Sequence, residues 1–185
     1  MDVIEAFNSR RSYRNFDPNF EIPEADLNKL VDMVLDCPSF CNFQGNDLLV
    51  VTDRKKIDEA TKIIFDSWSK EQQDTFNKRK EEYGCKNVIT GDASAIIFIV
   101  SNERADKDLK KVDAGVISMA IMMLARSFGL DTLGLGCLYW GNTKGMEEYL
   151  GIGEGNYNMA VAIGKPLDRT KITPKERLCK ATYLK

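Results

Sequence analysis

The stretch from Asp113 to Phe128 limits this chain more than any other. Val116, Ile117, Met119, Ile121, Met122 and Leu124 put apolar side chains nearly all round a helix. Such a helix is buried on most sides or sits at a subunit interface. Gly129 then stops it. A second strong signal is Ala95 to Ser101, a continuous apolar run that reads as a buried central strand.

The remaining pattern alternates helices with short strands in no strict order. Val3, Ile4 and Phe7 suggest a short first helix. Pro23, Glu24 and Asp26 open a second, with proline in the first turn and acids at the positive end of the dipole. Leu27, Leu30, Val31, Val34 and Leu35 follow at helical spacing, and Cys37-Pro38-Ser39 ends the helix. Asp47 to Thr52 reads as a strand. Asp53 caps a helix whose apolar face is Ile57, Ala60, Ile63 and Ile64. Residues 66–86 are dense in charge, with isolated Trp68, Phe76 and Tyr83, and read as a mobile helical region or lid. Thr132 to Leu138 is a glycine-interrupted strand or loop. Thr143 caps a short helix, and Met159 to Ile163 is the last strand. About four strands among long helices give an α+β class.

Composition removes several functions. The chain has 185 residues, enough for one domain with a real core. A net charge of −2 leaves no basic face for nucleic acid. No apolar run is long enough to span a bilayer, and the N-terminus resembles no secretory signal. Five scattered cysteines without a C-x-x-C pair fit a reduced, cytoplasmic setting and no metal site. The histidine count is zero, which excludes Ser-His-Asp and Cys-His nucleophile chemistry. An enzyme built this way would rely on a cofactor for its reactive electrons, so no catalytic side chain is expected.

Four constellations carry chemistry. Arg10-Arg11-Ser12-Tyr13-Arg14-Asn15-Phe16 crowds three arginines into five positions. In a chain so nearly neutral, that points to a local phosphate clamp, although a solvated turn has the same composition. Pro38-Ser39-Phe40-Cys41-Asn42-Phe43-Gln44 sets Ser, Asn and Gln between aromatics, able to read the edge of a heteroaromatic ring or simply to cap a loop. Leu133-Gly134-Leu135-Gly136-Cys137 would let a planar ligand approach the backbone, or is a bulged strand. Lys175, Arg177 and Lys180 form a basic tail. A phosphate-loop NTPase motif is absent.

In this order the motifs resemble those of the FMN-dependent nitroreductase family along nearly the whole chain. The arginine cluster is similar to R-R-S-x-R-x-F, residues 38–44 to P-S-x-x-N-x-Q, and Asp113-Ala114-Gly115 to the D-x-G at the core dimer helix. Gly134-Leu135-Gly136-Cys137 resembles the glycine-rich flavin-edge segment, and Gly164-Lys165-Pro166 the G-x-P that closes the last strand. The sequence departs from the family at Gly45-Asn46, where Pro-Trp is frequent, and the register of residues 133–141 stays open by one.

The resemblance implies a single nitroreductase-like domain over 1–185, a three-layer α-β-α sandwich with a central mixed or antiparallel sheet, in an obligate homodimer. It implies that 168–185 is a dimer-embracing tail. It implies FMN as cofactor, with Arg10, Arg11, Ser12 and Arg14 on the phosphate and ribityl chain, joined by Lys175 and Arg177. Pro38, Ser39, Phe40 and Asn42 would reach the flavin from the partner subunit, with Gln44 bracing their loop. Leu135 and Gly136 would present backbone to flavin N5. The implied activity is ping-pong hydride transfer from NADPH or NADH to nitroaromatic, quinone or similar small-molecule acceptors. Alternatives are a relative with another acceptor, such as a dehalogenase-like enzyme, or an FMN-storage module without turnover. Trp68, Phe43 and Tyr139 are candidates for the substrate side, each also readable as core.

Overall fold

A computed structural model describes residues 1–167, 176 and 178–184. Local signals set the helix ends. Asp2 caps α1 (Val3–Ser9) by accepting the Glu5 N–H at 2.9 Å. Helix α2 (Glu24–Leu35) starts after Pro23. Strand β1 (Asn46–Val51) precedes α3 (Arg54–Asp66), whose Asp53 cap accepts the N–H groups of Lys55 and Lys56. Helix α4 (Lys70–Tyr83) opens with a Ser69–Gln72 capping box and closes on Gly84, φ +70°. Then follow β2 (Ala95–Ser101), α5 (Lys110–Ser127), β3 (Asp131–Gly134), α6 (Thr143–Leu150) and β4 (Tyr157–Gly164). The cap of α6 is Asn142, whose side chain accepts the Gly145 N–H, and not Thr143 as the sequence suggests. A Thr hydroxyl and an Asn side chain compete for this role, and here Thr143 bonds backward to the Leu138 carbonyl.

The four strands form a sheet in the order β1-β2-β4-β3, and every pairing between them is antiparallel. Its faces alternate with period two. Ile96, Phe98, Ala160 and Ala162 pack toward Ile57, Ala60 and Ile64 of α3 and Met146 of α6. Ile97, Ile99, Val161 and Ile163 pack toward Leu30 and Val34 of α2 and Ile117, Ile121 and Ala125 of α5. This is the three-layer α-β-α arrangement. Both faces of β2 are covered, which is why its sequence is continuously apolar without being part of a parallel sheet.

Helix α5 is not buried all round. Its inner stripe is core, while Val112 and Val116 remain exposed. The stretch 66–86 is helical over Lys70–Tyr83. Trp68 and Phe76 are buried, with ring centroids 4.5 Å apart. Trp68 is therefore core. Among the described residues, no helix is long and apolar enough to cross a membrane.

Candidate functional site

The arginine cluster runs along the sheet's β3 edge. Ser12 forms a parallel bridge with Thr132, and the Tyr13 N–H donates to the Thr132 carbonyl at 3.0 Å. Phe16, fully buried, bridges Pro166. A Cβ on Gly164 would lie 2.8 Å from the Phe16 ring, so only glycine lets β4 close there. The first and last motifs of the chain are thus one packing unit, and it fixes where the arginines lie. The Arg11 guanidinium donates to the carbonyls of Asn8 and Arg10, at 2.8 and 2.7 Å. Arg14 reaches the Ser12 carbonyl at 3.3 Å. Arg10 uses its backbone N–H to end α1 on the Ala6 carbonyl.

Arg14 also borders a cleft of about 220 Å³. Its floor is Leu133 to Cys137, and its other wall holds Phe76, Arg79 and Tyr83 of α4 together with Trp140. The Leu135 N–H is committed to the Ala160 carbonyl at 2.9 Å. Gly136 begins the 3₁₀ turn Gly136–Trp140, and a Cβ placed on it would meet nothing within 4 Å. The segment therefore leaves open space over Gly136, whose N–H heads the turn without a partner among the described residues. Burial pushes the Cys137 thiol up to about 11, against the pull of Arg79 and Arg14. An arginine, an open glycine backbone and an aromatic wall fit a flat, electron-accepting ring with a polar edge, as in a flavin.

The loop after α2 is built separately. A 3₁₀ turn, Phe40–Asn42, is held by Asp113 in the first turn of α5, which accepts the Phe40 N–H at 3.1 Å. The Ser39 hydroxyl accepts the Gln44 N–H at 2.8 Å, and the Gln44 amide donates to the Asn42 side chain at 3.2 Å. Arg104 and Asn102 donate to the Gln44 carbonyl. Cys41, Asn42 and Gln44 all have left-handed backbone, φ +45°, +57° and +49°. Such strain in side-chain-bearing residues persists only where the surroundings impose it. Gly45 explains the departure from Pro-Trp: a Cβ there would lie 2.6 Å from the Ala105 Cα. Asn46 is buried, bonded to the Lys110 carbonyl and the Asn158 side chain.

The sequence candidates therefore fall into two places. Arg14, Leu135 and Gly136 share the cleft; Arg10, Arg11 and Ser12 lie beyond it on the same edge. Ser39 and Gln44 line a different hollow of about 210 Å³, with exposed Pro38, Phe40 and Asn42 on the same loop. Lys175 and Arg177 lie outside the described residues, as does most of the 168–185 tail. Phe43 and Tyr139 are partly exposed, and neither lines the cleft. Tyr139 instead donates to the Asn158 carbonyl and packs on Tyr157. Arg79, Tyr83 and Trp140 were not singled out for this wall by any motif; Arg79 is hidden in a charge-dense helix, and only the trio of aromatics in 66–86 hinted at it. A wider hollow of about 320 Å³ between α3 and α4, beside Asp58 and Lys80, contains no motif residue.

The model of the Nitroreductase family matches residues 8–165. The CLA biosynthesis enone reductase of Lactiplantibacillus plantarum is 26% identical, over 94% of this chain and 92% of its own. A nitroreductase with bound FMN from Bacteroides fragilis superposes with a TM-score of 0.76 at 20% identity, covering 100% of this chain and 98% of that one. The NADPH:FMN oxidoreductase of Vibrio harveyi, complexed with NAD+, superposes with a TM-score of 0.72 at 18% identity, covering 99% and 78%.

Proposed function

The chain belongs to the nitroreductase family, and on that premise we propose that it is an FMN-dependent oxidoreductase that draws its electrons from NADPH or NADH. The observation that carries the reading is the meeting of Arg14 with the Gly134–Gly136 segment in one aromatic-walled cleft, beside a line of further arginines. Two motifs far apart in sequence, each ambiguous alone, converge on one hollow.

FMN bound there would supply two-electron chemistry, hydride exchange with NAD(P)H and then with an acceptor that also takes a proton. This chain's residues bind and orient. Arg10 and Ser12, with Lys175 and Arg177, hold the phosphate by charge-assisted bonds. Arg14 sets its positive charge at the cleft end of the same edge, where it favours extra negative charge on the ring. The Gly136 N–H gives a fixed donor, and the lack of a side chain there admits a flat ligand. Phe76 and Trp140 exclude water from one side. With no histidine in the chain, proton delivery falls to solvent or to a polar group of the acceptor site.

The working form in this reading is a homodimer. Val112 and Val116 on α5, Val3, Ile4 and Phe7 on α1, and Phe40 and Phe43 on the strained loop are exposed apolar side chains. A second copy seated on them would bring Pro38, Ser39, Phe40 and Asn42 to the cleft of its neighbour, with Gln44 bracing. Because donor and acceptor would use one cleft in turn, the kinetics are ping-pong, with a nitroaromatic, a quinone or a similar conjugated acceptor as the oxidant.

The visible spectrum of the purified protein tests this. A flavin band that bleaches on adding NADPH or NADH and returns with a quinone is expected. A colourless protein that cannot be loaded with FMN would sink the reading, and intersecting rather than parallel kinetic lines would remove the ping-pong step.

A further inference from the structure

The cleft holds a second arginine that lies in none of the family motifs. Arg79 sits on α4 one turn beyond Phe76, its guanidinium carbon 4.8 Å from the centre of that ring. Among the described residues, the charged side chains that line the cleft are Arg14 and Arg79, with no carboxylate beside them. Among the described residues Arg79 is in no ion pair. Arg79 also lies close enough to the half-buried Cys137 thiol to oppose the rise that burial imposes on it. The rest of that wall is aromatic or apolar: Phe76, Tyr83, Trp140, Val88 and Ile89.

An Arg–Phe pair three positions apart can be no more than an intrahelical contact. Here the pair also faces outward from its helix. The Phe76 ring is buried and meets Trp140 edge-on, with centroids 6.4 Å apart, and both rings line the cleft together with Arg79. The phosphate-clamp residues Arg10, Arg11 and Ser12 do not line it. Arg79 therefore shares its cleft with Arg14 and not with Arg10, Arg11 or Ser12. An uncompensated guanidinium over an aromatic surface complements a flat molecule with an anionic head group.

Building on the FMN reading above, we propose that Arg79 is a specificity residue: it captures the carboxylate of a planar acceptor and lays the conjugated body of that acceptor along the exposed Trp140 side of the cleft. The substrate class is thus carboxylate-bearing nitroaromatics, quinones or enones rather than their neutral counterparts.

The oxidative half-reaction tests this without nicotinamide phosphates. FMN-loaded protein is photoreduced, mixed with 4-nitrobenzoate or with its neutral methyl ester, and followed by flavin absorbance. Arg79→Ala is expected to slow reoxidation by 4-nitrobenzoate about 10- to 100-fold, as for loss of one charge-assisted bond, and to leave the ester within about twofold of wild type. Arg79→Lys should recover part of the loss. Titrating the oxidised protein with benzoate gives a readout free of turnover, and its Kd should rise by the same factor in Arg79→Ala. Equal losses with acid and ester would overturn the proposal. So would a fall in FMN affinity, which would make Arg79 a cofactor ligand. A protein that takes up FMN yet ignores acceptor charge overturns this inference alone; one that takes up no FMN overturns both.

Discussion

The Asp113 carboxylate accepts the Phe40 N–H through both oxygens, at 3.1 and 3.3 Å. One end of the bond is the buried first turn of α5, where the helix dipole favours a negative charge. The other end is the strained turn that presents Phe40 and Asn42. The D-x-G and P-S-x-x-N-x-Q motifs are therefore a single mechanical unit. Asp113→Ala leaves a partly buried N–H without its acceptor, at a cost of about 1–3 kcal/mol. Thermal melting should fall by several degrees, and FMN affinity should fall as the loop loses its geometry. Asp113→Asn keeps one acceptor oxygen and should lie between. Melts and FMN titrations of both variants check the order.

Arg10 and Arg11 are adjacent but not equivalent. The Arg11 guanidinium already serves the Asn8 and Arg10 carbonyls, whereas Arg10 makes no such side-chain bond among the described residues. Arg10→Ala should weaken FMN binding about 10- to 100-fold, the value of one lost charge-assisted bond. Arg11→Ala should cost less in affinity and more in stability, because it frees the end of α1. Fluorescence titration of the apoprotein reads both; equal affinities for Arg10→Ala and wild type would remove Arg10 from the clamp.

The left-handed backbone at Cys41 predicts opposite signs for two substitutions. Its φ of +45° is relaxed by glycine and worsened by a β-branched residue. Cys41→Gly should stabilise the protein by up to about 1 kcal/mol, or about 2–4 °C for a chain of this size. Cys41→Val should destabilise it. If both variants melt below wild type, the turn is not the source of strain.

Legibility in the sequence followed the physics of each feature. Strand β2 is legible to the residue, because an apolar run of that length has few alternatives. The caps Asp53 and Gly129 depend on local geometry and are visible in sequence; the Asn142 cap is not, because Thr143 offers the same chemistry one position later. The motifs gave the cleft residues Arg14 and Gly136, since these need particular backbone and charge. Arg79 could not be seen: a cation in a charge-dense helix becomes notable only when folding sets it over Phe76 and beside Trp140. Nor could the sequence pair Arg126 with Asp131, an ion pair at 2.9 Å that joins α5 to β3 in the interior. Gly45 was legible only as a departure, and the approach of Ala105 supplies its reason.

Two thiols, buried Cys85 and half-buried Cys137, should weaken the fold in alkali. Burial raises Cys85 and Cys137 from the ordinary 9 to about 11 each. Since the folded values lie above those of the unfolded chain, the folded state holds these protons more tightly. Below pH 9 both states keep them, and the thiols produce no pH dependence. Between pH 9 and 11 the unfolded chain ionises first, so stability falls as pH rises through that window. Tyr157, which burial also holds above its usual value, adds a loss that begins higher. Melting the apoprotein at pH 8, 9, 10 and 11 should give a steeper decline for wild type than for the Cys85→Ala/Cys137→Ala variant. The tyrosine and lysine contributions are common to both proteins, so the difference isolates the thiols. Parallel declines would mean that the two cysteines are ionised as easily in the folded protein as in the unfolded one.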